Sequence, residues 1–242
     1  MTGNRSTVDG TDDRPPESTA PGPLEEGSAG ESTDGPNPAD LETEAATARV
    51  LRVLAREYLE PPTAARLERL ATWAEDWLAA ALETLREAEQ SDPEDLSREF
   101  TWLFRGTSRS ESPTPPYESL YRDGQLYSST TTEVRRGYLA AGVDVDDGES
   151  NEPPDHLGIE LQFLALLCEY AADPDAGELS RSRARDAQEW FLDDHLLTWI
   201  VGLRGQVLQA DPPEFYRALL DLTVETLQAH RRALHEIRAD EP

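Results

Sequence analysis

The sequence predicts an all-α protein, a single-domain helical bundle that follows an acidic tail. Two observations predict this fold. Apolar residues recur every three or four positions through most of the chain, which is the spacing of one face of an α-helix. No segment shows sustained two-residue alternation with β-branched enrichment, so we expect no sheet. The chain of 242 residues is long enough for one domain with a substantial core.

The first part of the chain, residues 1–40, is predicted to be a disordered acidic tail. It is rich in Gly, Pro, Ser, Thr, Asp and Glu, and its only bulky aliphatic residues are Val8 and Leu24. So little apolar surface cannot offset the conformational entropy that is lost when a chain becomes ordered. We therefore expect the all-helical domain to span residues 41–238 and an acidic, frayed C-terminus to span residues 239–242.

Three helices are predicted in the first half of this domain. The apolar face of the first contains Val50, Leu54 and Tyr58. It stops before Pro61, since a proline disfavours helical geometry for the residue that precedes it. The apolar face of the second contains Leu67, Leu70, Ala74, Trp77, Ala81 and Leu85. The third begins near Pro93 with Asp92 as its N-cap, and Gly106 ends it.

The second half of the domain is predicted to contain one short and four longer helical segments. They are Tyr117–Tyr121, Thr131–Ala141 (ended by Gly142), Pro154–Ala172, Glu178–Gln209 and Pro213–Arg238. The segment 154–172 is apolar on nearly every side, which is typical of a central, buried helix. Pro154 is predicted to start it, with the Asp155 carboxylate at its positive end. Asp211 is predicted to cap the last helix.

The charge of the chain limits its partners. The formal net charge is -27, and every basic residue is an arginine. This excess of carboxylate repels nucleic acid and anionic membranes and attracts basic peptides. The composition also resembles that of proteins from salt-loving archaea, where molar salt shortens the Debye length to roughly 3 Å. The sequence shows neither a membrane-spanning apolar stretch nor a signal peptide, which predicts a soluble, cytoplasmic protein.

The sequence offers little that could carry catalysis. It has no phosphate-binding glycine loop, no nucleophile elbow and no paired cysteines, so we predict no catalytic residue, no cofactor and no metal. Cys168, the single cysteine, is expected in the core. His156 and Glu160 are four residues apart and can supply two metal ligands, but without an evident third ligand the spacing favours an ordinary helix-face pair. His195 is predicted to be a hydrogen-bonded core histidine.

Two short segments are candidates for ligand binding. Asp155 and His156 lie at the mouth of the predicted buried helix, where they can hold a cationic or amide-rich ligand or simply begin the helix. The segment Pro115–Tyr121 places two tyrosines behind stiff prolines. Such a segment suits peptide recognition because little entropy is lost on binding. Its alternative role is a rigid loop whose rings pack on the core.

Four stretches in this order resemble the TorD/DmsD family of molybdoenzyme maturation chaperones, which includes the NarJ-like proteins. They are Glu99–Phe104, Pro115–Tyr121, Glu152–Leu157 with its continuation Glu160–Leu164, and Phe191–Trp199. In the same order, these four stretches resemble four segments of the family: an aromatic helix ending in Leu-Phe, a Pro-Tyr-Glu-Ser loop, an acidic Pro-Asp-His helix start and a Phe…His-Leu…Trp helix. The resemblance covers roughly residues 41–238 and leaves out the acidic tail.

The resemblance implies a TorD-like helical chaperone of the cytoplasm that is not an enzyme. Such a protein binds the twin-arginine signal peptide of a molybdopterin-dependent oxidoreductase, of the dimethyl sulfoxide, trimethylamine N-oxide or nitrate reductase type. It holds the apo-precursor until cofactor insertion, as a monomer or a homodimer. The peptide-binding residues implied here are Trp102, Leu103, Phe104, Pro116, Tyr117, Ser119, Tyr121, Asp155 and His156.

Two other function classes remain open from the residues alone. The first is a helical adaptor or regulatory protein that works through the acidic tail. The second is a metal-dependent enzyme with His156 and Glu160 in its site, which requires a third ligand.

Overall fold

The described part of the chain is helical. The computed structural model describes residues 36–72, 92–106, 112–143 and 152–240. Within these ranges the only β-type pairing is an isolated antiparallel bridge between Tyr117 and His156. The predicted all-α fold is therefore confirmed. Residues 1–35 of the predicted tail, residues 73–91 of the predicted second helix and residues 241–242 lie outside the described residues.

The described helices are α1 (Pro38–Leu59), α2 (Ala64–Thr72), α3 (Pro93–Phe104), α4 (Glu118–Arg122), α5 (Ser129–Ala140), α6 (Leu157–Ala172), α7 (Glu178–Phe191), α8 (Leu197–Gln209) and α9 (Glu214–Asp240). A π-helical turn, Leu192–Leu196, joins α7 to α8. Among the helices described, none has both the length and the apolar composition needed to cross a bilayer.

Several predicted helix ends are confirmed by local hydrogen bonds and backbone angles. The Asp92 carboxylate accepts a hydrogen bond from the backbone N–H of Glu94 at 2.8 Å, so it caps α3 as predicted. Gly106 and Gly142 follow α3 and α5 with φ of 59° and 77°. This left-handed geometry favours glycine, which explains why both helices end there.

The start of the central helix was predicted wrongly. Helix α6 begins at Leu157 rather than Pro154, because the side chain of His156 acts as the N-cap. Its Nδ1 accepts a hydrogen bond from the backbone N–H of Gly158 at 3.0 Å. Asp155 therefore lies before the helix and does not occupy its first turn. Histidine is not among the usual capping residues, so no local signal in the sequence indicated this cap.

The predicted cap of the last helix was also wrong. Asp211 has φ of 51°, whereas an N-cap residue has extended backbone. Two prolines separate it from Glu214, where α9 begins. Its carboxylate instead accepts a hydrogen bond from the Arg217 guanidinium at 2.6 Å.

The long helical pattern at residues 178–209 is divided by the π-helical turn. A π turn places an extra residue in the helix and so changes which side chains face inward. Here it brings Leu192, His195 and Leu196 into the interior. The prediction of a buried His195 is confirmed, whereas the interruption was not predicted.

Helix α6 is the centre of the bundle, as predicted. It packs against α1 on one side and α7 on the other. Leu161, Leu164 and Leu167 have no exposed surface. Gly158 permits the close approach of α1, since a Cβ atom there would lie 2.5 Å from the Leu59 side chain and 2.9 Å from the Ala55 carbonyl oxygen.

Truncation of Leu161 tests this position of the core. Because the side chain is completely buried, Leu161→Ala removes packed methyl groups and leaves a cavity. We expect the free energy of unfolding to fall by about 2–5 kcal/mol in urea denaturation followed by circular dichroism. The matched control is Leu179→Ala on α7, where the side chain is exposed and the change should stay within about 0.5 kcal/mol. An unchanged midpoint for Leu161→Ala would show that the core lies elsewhere.

Candidate functional site

The candidate site is built where the proline-rich segment before α4 pairs with the segment before α6. The backbone N–H of Glu118 donates to the Asp155 carbonyl oxygen at 2.9 Å, and the N–H of Leu157 donates to the Pro116 carbonyl oxygen at 2.9 Å. The residues between these two bonds form the isolated bridge. Two stretches that the sequence singled out separately are thus joined at the start of the central helix.

Tyr117 is held by contacts at both ends of its ring. The ring packs edge-on against His156, with centroids 5.0 Å apart. Its hydroxyl donates to Glu152 at 2.6 Å, and Arg105 forms an ion pair with the other oxygen of Glu152. Arg105 also donates to the Leu59 carbonyl oxygen at 2.6 Å. The ends of α1 and α3 are thereby tied to the proline-rich segment.

These contacts shift the acid–base behaviour of both partners. Burial and the hydrogen bond to Glu152 raise the pKa of Tyr117. Burial alone would raise the pKa of Glu152, but the Tyr117 hydroxyl, His156 and Arg105 together lower it. At neutral pH the pair is therefore a neutral phenol that donates to a carboxylate, which is a strong, charge-assisted arrangement.

Tyr121 is fixed in a similar way on the other side of α4. Its hydroxyl donates to the Thr114 carbonyl oxygen at 2.7 Å, and its ring packs against Trp199 with centroids 5.3 Å apart. A Cβ atom on Gly202 would lie 3.4 Å from the Tyr121 ring, so a larger residue there would crowd it. The backbone N–H of Thr114 donates to Gln206 at 3.1 Å, which anchors the segment to α8.

Glu118 connects α4 to the π-helical turn. Its carboxylate is fully buried and lies 2.9 Å from His195 Nδ1 and 2.5 Å from the Arg122 guanidinium. Arg122 also donates to the Asp194 carbonyl oxygen at 2.9 Å. The prediction that His195 is a hydrogen-bonded core histidine is thereby confirmed. A buried carboxylate requires such partners, since an isolated buried charge is strongly unfavourable.

Glu160 is a second buried carboxyl group in the same place. Burial, followed by the neighbouring carboxylates of Glu118 and Asp155, raises its pKa well above the usual value, while the Trp199 indole acts in the opposite direction. Neither Glu160 oxygen makes a hydrogen bond of normal geometry. Because two like charges in one buried space are strongly unfavourable, these surroundings favour the protonated form of Glu160.

The side chain of His156 has a structural role at the start of α6. Its side chain is almost completely buried, and burial lowers its pKa to about 4, so the ring is neutral at neutral pH. Its Nδ1 already caps α6. In the described ranges no third His, Cys, Asp or Glu joins His156 and Glu160 at metal-ligand distances. The metal-dependent enzyme hypothesis therefore lacks the third ligand that it requires.

The nine predicted peptide-binding residues divide by exposure. The partly exposed ones are Trp102, Tyr117 and Tyr121. The buried ones are Leu103, Phe104, Pro116, Ser119, Asp155 and His156. Backbone pairing joins four of the nine, namely Pro116, Tyr117, Asp155 and His156. The Asp155 carboxylate accepts a hydrogen bond from the Ser119 N–H, and Tyr121 lies one turn further along α4. Phe104 belongs instead to an aromatic cluster in the core with Tyr58 and Tyr216.

The described part of the chain forms an all-helical protein with a fixed polar and aromatic site at the start of its central helix. Residues 56–204 match the family model described as nitrate reductase delta subunit. This chain belongs to that family. It is 33% identical over 161 residues to the chaperone protein TorD of Vibrio cholerae serotype O1, covering 66% of this chain and 71% of TorD. Members of the family are chaperones, and this protein is accordingly a chaperone and not an enzyme.

Two further relatives have related names. The protein named as a probable Tat proofreading chaperone, DmsD, of Haemophilus influenzae is 26% identical over 196 residues, covering 76% of this chain and 89% of DmsD. The perchlorate reductase assembly chaperone of Dechloromonas aromatica is 28% identical over 135 residues, covering 54% of this chain and 60% of that protein. The predicted resemblance to the TorD/DmsD family is confirmed.

The site also contains residues that were not among the nine predicted peptide-binding residues, namely Glu118, Arg122, Glu152, Glu160 and Trp199. Four of them lie within the stretches that resemble the family, and only Arg122 lies outside them. Their contacts join α4, α6 and α8, which are far apart in the sequence. Nothing in the local sequence specified that these side chains meet.

Replacement of Glu160 by glutamine tests the buried carboxyl group. Because the folded pKa lies above the usual 4.5, the folded protein retains a proton that the unfolded chain releases, so this group lowers the free energy of unfolding as pH rises above 4.5. Glu160→Gln removes that loss. We expect the free energy of unfolding of the variant, minus that of the wild type, to grow from pH 4.5 to pH 7 in urea denaturation. The exposed Glu133→Gln is the control, and parallel curves for Glu160→Gln and wild type would contradict the assignment.

Proposed function

We propose that this protein is a cytoplasmic chaperone that binds the twin-arginine signal peptide of a molybdopterin-dependent oxidoreductase. It holds the apo-precursor until the cofactor has been inserted. The names of the relatives support this role, since they include a Tat proofreading chaperone and a reductase assembly chaperone. The formal net charge of -27 also suits a partner with a basic N-terminal region, and it suits work at high salt.

The choice of binding surface rests on the position of Tyr117 and Tyr121. Tyr117 and Tyr121 stay partly exposed, although hydrogen bonds fix both hydroxyls and packing fixes both rings. Aromatic side chains held in place lose little entropy when a peptide binds, so more of their contact energy appears as affinity. The remaining predicted residues of this site, Pro116, Asp155 and His156, hold the two tyrosines in position. Ser119 contributes through its backbone N–H.

Exposed apolar side chains continue this surface. Leu126 and Tyr127 lie between α4 and α5 with exposed fractions of 42% and 74%. The Tyr127 phenol is near enough to Tyr117 to contribute to its raised pKa. Tyr127 also has φ of 56°, a conformation that non-glycine residues rarely adopt. An exposed Leu-Tyr pair beside fixed tyrosines suits the apolar region of a signal peptide.

The arginines of the peptide require a carboxylate partner, and Asp155 is not accessible for that role in this conformation. It is fully buried, and one oxygen accepts the backbone N–H of Ser119 at 3.0 Å. Asp155 therefore acts by holding α4 in place. We assign the guanidinium contacts to surface carboxylates near the tyrosines, among which Asp123 is exposed at the end of α4.

Titration with a leader peptide tests the proposed function. The peptide comes from a molybdoenzyme of the same genome, is added at high salt and is followed by tryptophan fluorescence. We expect saturable binding that weakens when the two arginines are replaced by lysines, since lysine cannot form a bidentate pair with a carboxylate. An absence of saturable binding to any such leader would remove the proposed function.

A pair of exposed tyrosines locates the surface. Tyr127→Ala should weaken leader binding about tenfold, as expected for an aromatic contact near the centre of an interface. The control is Tyr170→Ala, because Tyr170 is also exposed but lies near the far end of α6, about 20 Å along the helix from the site. Equal losses for the two variants, or a loss for Tyr170→Ala alone, would place the peptide elsewhere.

A further inference from the structure

A second polar cluster lies within the helical core, near the end of α6 that is opposite the tyrosine surface. It contains Glu44 on α1, Cys168 on α6 and His230 on α9, each almost completely buried. One ligand atom from each of the three lies within 4.8 Å of the others. Gln188 on α7 completes the cluster, with its side-chain oxygen 2.6 Å from His230 Nε2.

Two buried atoms of this cluster make no hydrogen bond of normal geometry. The Arg185 side chain donates to one oxygen of Glu44 at 3.3 Å, whereas the other oxygen, Oε2, has only the looser approach of Cys168 and Gln188. The Nδ1 atom of His230 is also buried without a partner. Unpaired buried polar atoms are uncommon in folded proteins and require a specific explanation. A missing ligand is one such explanation for Glu44 Oε2.

We propose that Glu44, Cys168 and His230 bind one Zn²⁺ ion that connects α1, α6 and α9. A thiolate, an imidazole and a carboxylate are the ligands that zinc prefers, and this mixture disfavours Mg²⁺ and Ca²⁺. The fourth position would be taken by a water or by the Gln188 side-chain oxygen. Binding releases the thiol proton of Cys168 to solvent, and the imidazole of His230 gives up its Nε2 proton to Nδ1.

The spacing of the ligand atoms suits this ion. Cys168 Sγ lies 3.4 Å from His230 Nε2. Zinc–sulfur and zinc–nitrogen bonds of ordinary length at a tetrahedral angle place these atoms about 3.5 Å apart. The distance between His230 Nε2 and the Gln188 side-chain oxygen is 2.6 Å. This is shorter than the distance between two ligand atoms of a tetrahedral zinc site, so Gln188 has to move by several tenths of an ångström.

The cluster lies beside a cavity of about 290 Å³. It opens between α1 and α9, and His230 forms part of its wall. Its other lining residues include Glu42, Thr43, Thr47 and Thr226. The cavity therefore provides space for a small ion beside His230. Arg185 opposes a cation, but its contact is with Oε1 of Glu44, which leaves Oε2 for the proposed bond.

Cobalt substitution tests this site without reference to the peptide surface. The full-length protein is freed of metal with a chelator and titrated with Co²⁺, which reports tetrahedral thiolate ligation through intense visible bands and a near-ultraviolet thiolate-to-cobalt band. We expect these bands to saturate at one Co²⁺ per chain and to disappear when Zn²⁺ is added. Exposed carboxylates bind Co²⁺ through oxygen alone and do not give the thiolate band.

Matched variants then assign the ligands. Cys168→Ser should abolish the thiolate band, and His230→Gln should weaken Co²⁺ binding at least tenfold, whereas the exposed His235→Gln on the same helix should match wild type. Circular dichroism checks that each variant remains helical. Wild-type protein that shows no thiolate band at one equivalent of Co²⁺ would overturn the proposal, whatever the variants do. An undiminished band in folded Cys168→Ser would overturn it as well.

Discussion

The backbone pairing between the segment before α4 and the segment before α6 is the constraint on which the site depends. Two hydrogen bonds of 2.9 Å, from Glu118 to Asp155 and from Leu157 to Pro116, hold the proline-rich segment at the start of the central helix. Because α6 packs against both α1 and α7, the proline-rich segment that is hydrogen-bonded to its first residue is also held in place. Two hydrogen bonds are therefore enough to fix this segment relative to the bundle.

The same pairing explains why so many charged groups are buried in a small space. It encloses Glu118 and Asp155 together with Glu160 of α6. Their burial is offset by the contacts of Glu118 with His195 and Arg122 and by the raised pKa of Glu160, which favours its neutral form. A hydrophobic replacement of similar volume would often be as stable, so buried charges of this kind favour one specific arrangement rather than greater stability. What they specify here is the orientation of α4 and of the tyrosines at its two ends.

Local sequence predicted the elements well and the tertiary contacts poorly. Periodicity and caps such as Asp92 and Gly106 act within one or two turns, so they can be recognised from neighbouring residues. The His156 cap and the π-helical turn depend on what packs against them, which no local pattern records. The burial of Asp155 could not be foreseen from its segment, since its partner is the Ser119 backbone 36 residues earlier.

Hydrogen–deuterium exchange with the full precursor is the most direct measurement of the central claim that one rigid surface around Tyr117 and Tyr121 holds the leader. Exchange is compared for the free protein, for its mixture with the molybdoenzyme precursor and for its mixture with the same enzyme lacking its leader. We expect leader-dependent protection concentrated in residues 112–128 and 152–157, with little change at the far end of α6. Protection that is absent, or that persists without the leader and lies elsewhere, would show that this surface does not hold the leader.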